Sequence, residues 1–316
     1  MMGQVEECDM RIGWNGTGIV GHASLESVTK DMQRAQANGF ASYWLADHPT
    51  GGFDALTALA IGGQDISSME IGTAVIPTFP RNPMALAAQA LTVAQSLKVP
   101  FCLGVGLSHE SMMKELGIAF EKPIRHLREY LSILVPLLEE GEVDFDGELL
   151  SCHAKIFKRP MPEISVVVAA LGPQALKVAG QFCSGTTLAW VGPKTVKEHI
   201  APRIQDAASA AGRSSPRIIS TLPVCITTQG DARRKSISQN FASYGELPSY
   251  RAMFDREGAA GPGDVALVGS PSEVKERLEI LADAGVTDFG ATAYAESPEE
   301  KSNTLSFLAE LSKGAI

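Results

Sequence analysis

The chain has 316 residues, 45% hydrophobic and 20% charged, which is enough to bury one large core or two ordinary ones. A formal net charge of −9 with no Lys/Arg-rich block argues against a general nucleic-acid or anionic-membrane binder, because neither attracts an acidic chain. The apolar runs are too short to span a membrane. Cys8, Cys102, Cys152, Cys183 and Cys225 are scattered without a C-x-x-C pair, which points to reduced thiols. The opening MMGQVEECDM is acidic and lacks an apolar signal core, so the expectation is a cytoplasmic protein.

Strand-like runs alternate with helical periodicity throughout. Strands are expected at Met10–Trp14, Ser42–Ala46, Glu70–Ile76, Phe101–Val105, Ile164–Ala170, Thr186–Trp190, Ile218–Thr227 and Asp288–Ala293. Between the first two, Leu25, Val28, Met32 and Ala35 share one helical face, with Ser24 placed to cap the start and Gly39 to end it. SPSEVKERLEILADAG repeats the design with Ser270 or Ser272, then Val274, Leu278 and Leu281, then Gly285.

Eight strand–helix units over this length indicate an α/β fold of one domain, residues 1–316: a (β/α)8 TIM barrel with insertions at the C-terminal face. A doubly wound open sheet is the rival, but GWNGTGIVGHAS lacks the Gly-x-Gly-x-x-Gly spacing before a helix. DFDGELLSCHAKIF, Asp144 to Phe157, reads as a surface hairpin around an Asp-Gly turn. YGELPSYRAMFDREGAAGPGDV, Tyr244 to Val265, is placed to cover the barrel mouth.

In such a barrel the chemistry sits at the C-terminal ends of the strands. WNGTG, LADHP, TAVIPTFPRNP, GVGLSHE, AALGPQA and AWVGP follow the first six strands in turn. Trp14, Asn15, Phe79, Ser108, His109 and Trp190 in these segments are the candidate substrate-pocket residues. After the fifth strand, Gly172 permits close backbone approach and Pro173 suits a first helical turn. Pro173 has no N–H, so the amides of Gln174 and Ala175 are left to receive a phosphate. A plain helix start at a packed rim is the alternative, and the position after strand five favours phosphate.

GFASYWLADH, IGTAVIPTFPRNPMALAAQALTV, FCLGVGLSHE, RHLREYLSILVPLL, AALGPQALKVAG and ALVGSPSEVKERLEILADAGVTDF together cover most of Met10 to Tyr294. In these motifs and their order the chain resembles the luciferase-like monooxygenase superfamily, above all its oxidoreductases that use the deazaflavin coenzyme F420. The resemblance implies a flavin-shaped cofactor in the barrel mouth, with a bulge at Thr73, Ala74 and Val75 behind its ring and a cis Ala74–Val75 peptide. It implies that Gly104 and Gly106 admit the cofactor's side chain, that Asp47 hydrogen-bonds the deazaflavin and that His48 moves a proton. His109 replaces an acidic residue of the sugar-phosphate dehydrogenases, which weakens the expectation of such a substrate. His22, His126, His153 and His199 are expected on the surface or in packing, Arg125–Tyr130 to be structural, and no spacing suggests a metal site.

The leading expectation is an F420-dependent oxidoreductase acting on a small molecule. The alternatives are an FMN-dependent two-component monooxygenase and a non-catalytic flavin-binding protein, the latter disfavoured by Asp47 and His48. Superfamily members commonly pair through helices beside strands two to four. FDALTALAIGG and MALAAQALTVA are apolar beyond one core-facing stripe, so a homodimer is expected; deeply packed barrel helices would have the same composition.

Overall fold

The computed structural model describes residues 10–16, 22–48, 50–157 and 162–314. The acidic N-terminal stretch and Thr17–Gly18 of the WNGTG turn lie outside these residues. The strands are β1 (Arg11–Asn15), β2 (Ser42–Ala46), β3 (Glu70–Val75), β4 (Phe101–Gly106), β5 (Glu142–Asp146), β6 (Ser151–Lys155), β7 (Ile164–Ala169), β8 (Gly185–Ala189), β9 (Arg217–Thr221), β10 (Pro223–Ile226), β11 (Leu267–Gly269) and β12 (Asp288–Ala293). Parallel pairing runs β1-β2-β3-β4-β7-β8-β9-β12, and β12 pairs back onto β1 with Gly13 opposite Gly290. This closure makes the (β/α)8 barrel and removes the open-sheet alternative.

The helices start and stop where the local chemistry directs. Helix Leu25–Ala37 opens on a capping box in which Ser24 accepts from the Ser27 amide. Helix Pro271–Asp283 opens on a second box between Ser270 and Glu273. Gly39 and Gly285, just beyond these helices, take left-handed φ values of 85° and 105°.

Two runs depart from the simple pattern. Ile218–Thr227 is broken at Leu222: β9 pairs with β8, whereas β10 keeps β12 and takes the three-residue β11 as its other neighbour. Pro223 opens β10 and has no N–H to give to a ladder, which suits a change of partner. The sequence pattern missed β11 because three residues before a strong helix start carry too little periodicity.

The two insertions lie on different parts of the barrel. The β5–β6 hairpin leaves the end of helix Pro123–Glu139 and folds back along its outer side. There Glu129 accepts from the amides of Glu148, Leu149 and Leu150 at 3.0, 2.7 and 2.9 Å. Tyr244–Val265 forms helices Ala242–Glu246, Pro248–Glu257 and Pro262–Val265, and its aromatic residues pack on the strand exits.

Inside the barrel, layers stack along the axis. At the N-terminal end Arg217 bonds Glu70 at 2.8–2.9 Å and Asp288 at 2.9–3.2 Å, and Arg11 joins both carboxylates. Burial alone would raise the Asp288 carboxyl; the Arg217 hydrogen bonds and charge outweigh it and hold the group below the usual carboxylate range. Above this layer Trp44, Cys102, Val167 and Ile219 form a sealed apolar cluster, at most 1% exposed.

Candidate active site

The apolar cluster stops short of the mouth. On the inward face, the last residues of six strands are Ala46, Ala74, Ala169, Ala189, Thr221 and Thr292, and each is partly exposed. The residues two positions earlier, including Trp44, Val167 and Ile219, are buried. Side-chain alternation puts each pair on one face, so a packed plug is overlain by a floor of small side chains. Such a floor leaves room for a flat ring system.

One edge of the floor is the β3 bulge. Leu45 pairs with Thr73 and Ala46 with Val75, so the register skips Ala74. Thr73 is fully buried and locks the bulge, its Oγ1 donating to the Gly104 carbonyl at 3.0 Å and accepting the Gly104 amide at 2.8 Å. A Cβ on Gly104 would run into the Thr73 carbonyl and lie 2.7 Å from the Ala74 carbonyl. The space on the Cβ side of Gly104 is therefore filled by the β3 backbone. Gly106 is bounded likewise, by Val75 Cγ2 at 2.8 Å and Ala169 Cβ at 3.0 Å. Gly104→Ala is expected to cost about 1–3 kcal/mol of stability, since the obstruction is backbone that no rotamer change relieves. A melting curve coincident with wild type would contradict this account of the bulge.

Gly172 behaves differently. Its φ is −79°, and nothing lies within 4 Å of a Cβ placed there. It caps helix Pro173–Phe182 without a side-chain hydrogen bond, and Gly172, Pro173 and Gln174 are exposed. The first-turn amides of Gln174 and Ala175 thus have no side-chain acceptor, and the positive end of the helix dipole faces outward. The turn is held from behind by His199. This residue lies on a π-turn, Val196–Ile200, and is 2% exposed. Its Nε2–H donates to the Leu171 carbonyl at 2.8 Å, while Nδ1 is buried without a partner among the described residues. His199, expected on the surface or in packing, ties the π-turn to the Leu171-Gly172-Pro173 turn.

Asp47 and His48 leave β2 on the rim. Asp47 is 8% exposed: one oxygen accepts the Ala55 amide at 3.3 Å, and the other takes Arg81 at 3.0 Å. Arg81 also bonds Gln89 at 2.8 Å and Asp54. The Asp47 carboxylate therefore anchors the rim loop and helix Ala55–Gly62. Arg81 was missed because nothing local in TFPRNP marks a partner so far back in the chain.

His48 is half-buried, and burial pulls its pKa below the usual 6.5 against the opposing charge of Asp47. Burial lowers His109 too, and the charge of nearby His48 adds to that fall. The fold thus brings both candidate proton carriers together, each neutral near pH 7 with one N–H and one lone pair.

Among the described residues, Ser108, Lys122 and Trp190 are the non-glycine positions with left-handed φ, at 62°, 45° and 60°. Ser108 and Trp190 sit at the exits of β4 and β8, where backbone strain marks a site held in shape by its surroundings. Trp14 is not at the mouth. It points outward, donating to Asp31 at 2.9 Å and packing on Phe40, while Asn15 points inward and reaches Thr221 at 3.3 Å. Phe79 stacks on His126 at 3.9 Å, and His126 bonds Thr78 at 3.1 Å. Burial pushes His126 down to about 4, so it serves as a neutral packing ring. No group of His, Cys, Asp or Glu among the described residues is arranged to hold a metal ion, and no described helix is long and apolar enough to cross a membrane.

The chain thus folds as a closed parallel barrel with a small-residue floor, a bulged third strand and an open helix N-terminus after its fifth strand. The chain belongs to the luciferase-like monooxygenase family, whose model matches residues 11–288. It is 22% identical over 295 residues to the 5,10-methylenetetrahydromethanopterin reductase of Methanolobus tindarius, covering 84% of this chain and 90% of that one. It is 28% identical over 278 residues to the F420-dependent glucose-6-phosphate dehydrogenase of Segniliparus rotundus, covering 80% and 83%. Among solved structures, the coenzyme F420-dependent tetrahydromethanopterin reductase of Methanopyrus kandleri superimposes with a TM-score of 0.78 over 96% of this chain and 98% of that one, at 18% identity.

Proposed function

We propose that this protein is an F420-dependent oxidoreductase that passes a hydride between the deazaflavin C5 and a small organic substrate. The observation that carries the reading is the pairing of a small-residue floor at the strand exits with one open, uncapped helix N-terminus at Gly172. Together they suit a flat ring with an anionic tail. The relatives named for F420-dependent chemistry support the deazaflavin over FMN.

When bound, the coenzyme supplies hydride chemistry; the residues of this chain supply position and protons. Ala74 and the other small floor residues seat the ring, and the Gln174 and Ala175 amides hold a phosphate. His48 holds or moves a proton, with His109 beside it. The roof helices keep water out.

Fluorescence titration with F420 and separately with FMN tests the assignment. Saturable binding of F420, with FMN at least tenfold weaker, is the expected result. Tighter binding of FMN would transfer the site to a flavin monooxygenase.

A further inference from the structure

The exits of β7 and β8 share a local design. Leu171-Gly172-Pro173 and Val191-Gly192-Pro193 each start a helical segment with glycine at the cap and proline in the first turn. Their surroundings are opposite. The first turn is open, as described above. At the second, the Glu257 carboxylate from helix Pro248–Glu257 accepts the Thr195 amide at 2.8 Å and the Lys194 amide at 3.2 Å. A Cβ on Gly192 would collide with the Glu257 side chain, so glycine is what admits this carboxylate. The mouth therefore offers free amides to one anion, and the equivalent amides next door are already closed by a fixed negative charge.

The roof carries the second observation. A continuous run of rings crosses from the β4 exit to the β8 and β12 exits. Tyr250 lies 5.6 Å from His109, Tyr244 is 5.3 Å from Tyr250 and 5.2 Å from Trp190, and Phe241 lies 5.0 Å from Trp190 and 6.3 Å from Tyr294. Burial raises Tyr244 and Tyr250, and lowers His48 and His109, so each is uncharged at neutral pH.

The arginines near the mouth have matched partners. Arg81 is met by both Asp47 and Asp54, and Arg251 by Asp255 and the carbonyls of Ala259 and Ala260. Residues 17–21 and 49 include no ionisable side chain. A phosphate ester entering beside the coenzyme would find the amides of the second turn already taken and would face the Glu257 carboxylate that holds them.

We propose that the organic substrate is an uncharged, flat, largely apolar carbonyl compound, such as a cyclic enone or an aryl ketone, received by the aromatic roof rather than by an anion seat. Flat faces stack on these rings, and an imidazole N–H from His48 or His109 is available to a carbonyl oxygen. The inference rests on the F420 reading of the site and narrows its substrate.

The test is calorimetric titration of the F420-loaded protein with 2-cyclohexen-1-one, acetophenone and glucose 6-phosphate. At least one ketone is expected to bind ten times more tightly than the sugar phosphate. Tyr250→Leu, which keeps apolar bulk but removes the ring, is expected to weaken ketone binding about tenfold while F420 affinity stays within threefold. Equal or tighter binding of glucose 6-phosphate, or no binding of either ketone, overturns the proposal even if Tyr250→Leu does not fold. Failure to load F420 at the outset overturns the broader reading instead, so the two failures are distinguishable.

Discussion

His48→Ala is expected to lower turnover by about 10²–10⁴-fold, the usual range for removing a general acid or base, while F420 affinity changes by no more than a few-fold. His48 stands on the rim loop after β2, half-buried, with burial holding its pKa below 6.5. The neutral ring is the resting form at pH 7 and can give or take a proton there. Asp47 is engaged with Arg81 and the Ala55 amide, so it steadies the loop and does not act as the proton carrier. The separating measurement is coenzyme binding by fluorescence beside single-turnover rates with an accepted substrate. A parallel fall in both would make His48 a wall of the pocket. Near-normal turnover would pass the proton role to His109, which His109→Ala would then have to abolish.

Gly172→Asp is expected to weaken F420 binding by more than 100-fold without loss of fold. Gly172 is the N-cap of helix Pro173–Phe182, and a carboxylate there can accept the amides of Gln174 and Ala175 itself. The substitution therefore caps the helix, worth about 1 kcal/mol in favour of folding, while it repels an incoming phosphate and takes the donors the phosphate needs. Two charge-assisted hydrogen bonds at about 1.5–3 kcal/mol each set the size of the loss. Gly172→Ala supplies the control: a Cβ there meets nothing in the protein and φ is −79°, so it should melt as wild type. A folded Gly172→Asp protein that binds F420 normally would show that the phosphate is held elsewhere.

Much of the fold was legible along the chain because its determinants are local. Runs of strand character marked the eight barrel strands, with β9 and β10 read as one run. Ser24, Ser270, Gly39 and Gly285 marked helix ends through contacts a few residues long. The Gly172-Pro173 turn was legible for the same reason, since an uncapped helix start is a property of its own first turn. The family motifs added the bulge at Ala74, which no local pattern required.

Tertiary structure decided the rest, because period-two alternation says that neighbours face opposite ways but not which face is the barrel interior. It sent Trp14 outward to Asp31 and Asn15 inward to Thr221. Contacts between distant segments then assigned roles that no window of sequence contains. Thr73 and Gly104 lock a bulge across 31 positions, Arg81 reaches back 34 positions to Asp47, and His199 reaches back 28 to Leu171. The clearest case is the pair of Gly-Pro turns, alike in sequence. Only the arrival of Glu257, 62 positions beyond Thr195, closes one and leaves the other open. By itself the sequence determined the barrel and its likeness to the family; which helix start is left open depends on what the fold packs against each one.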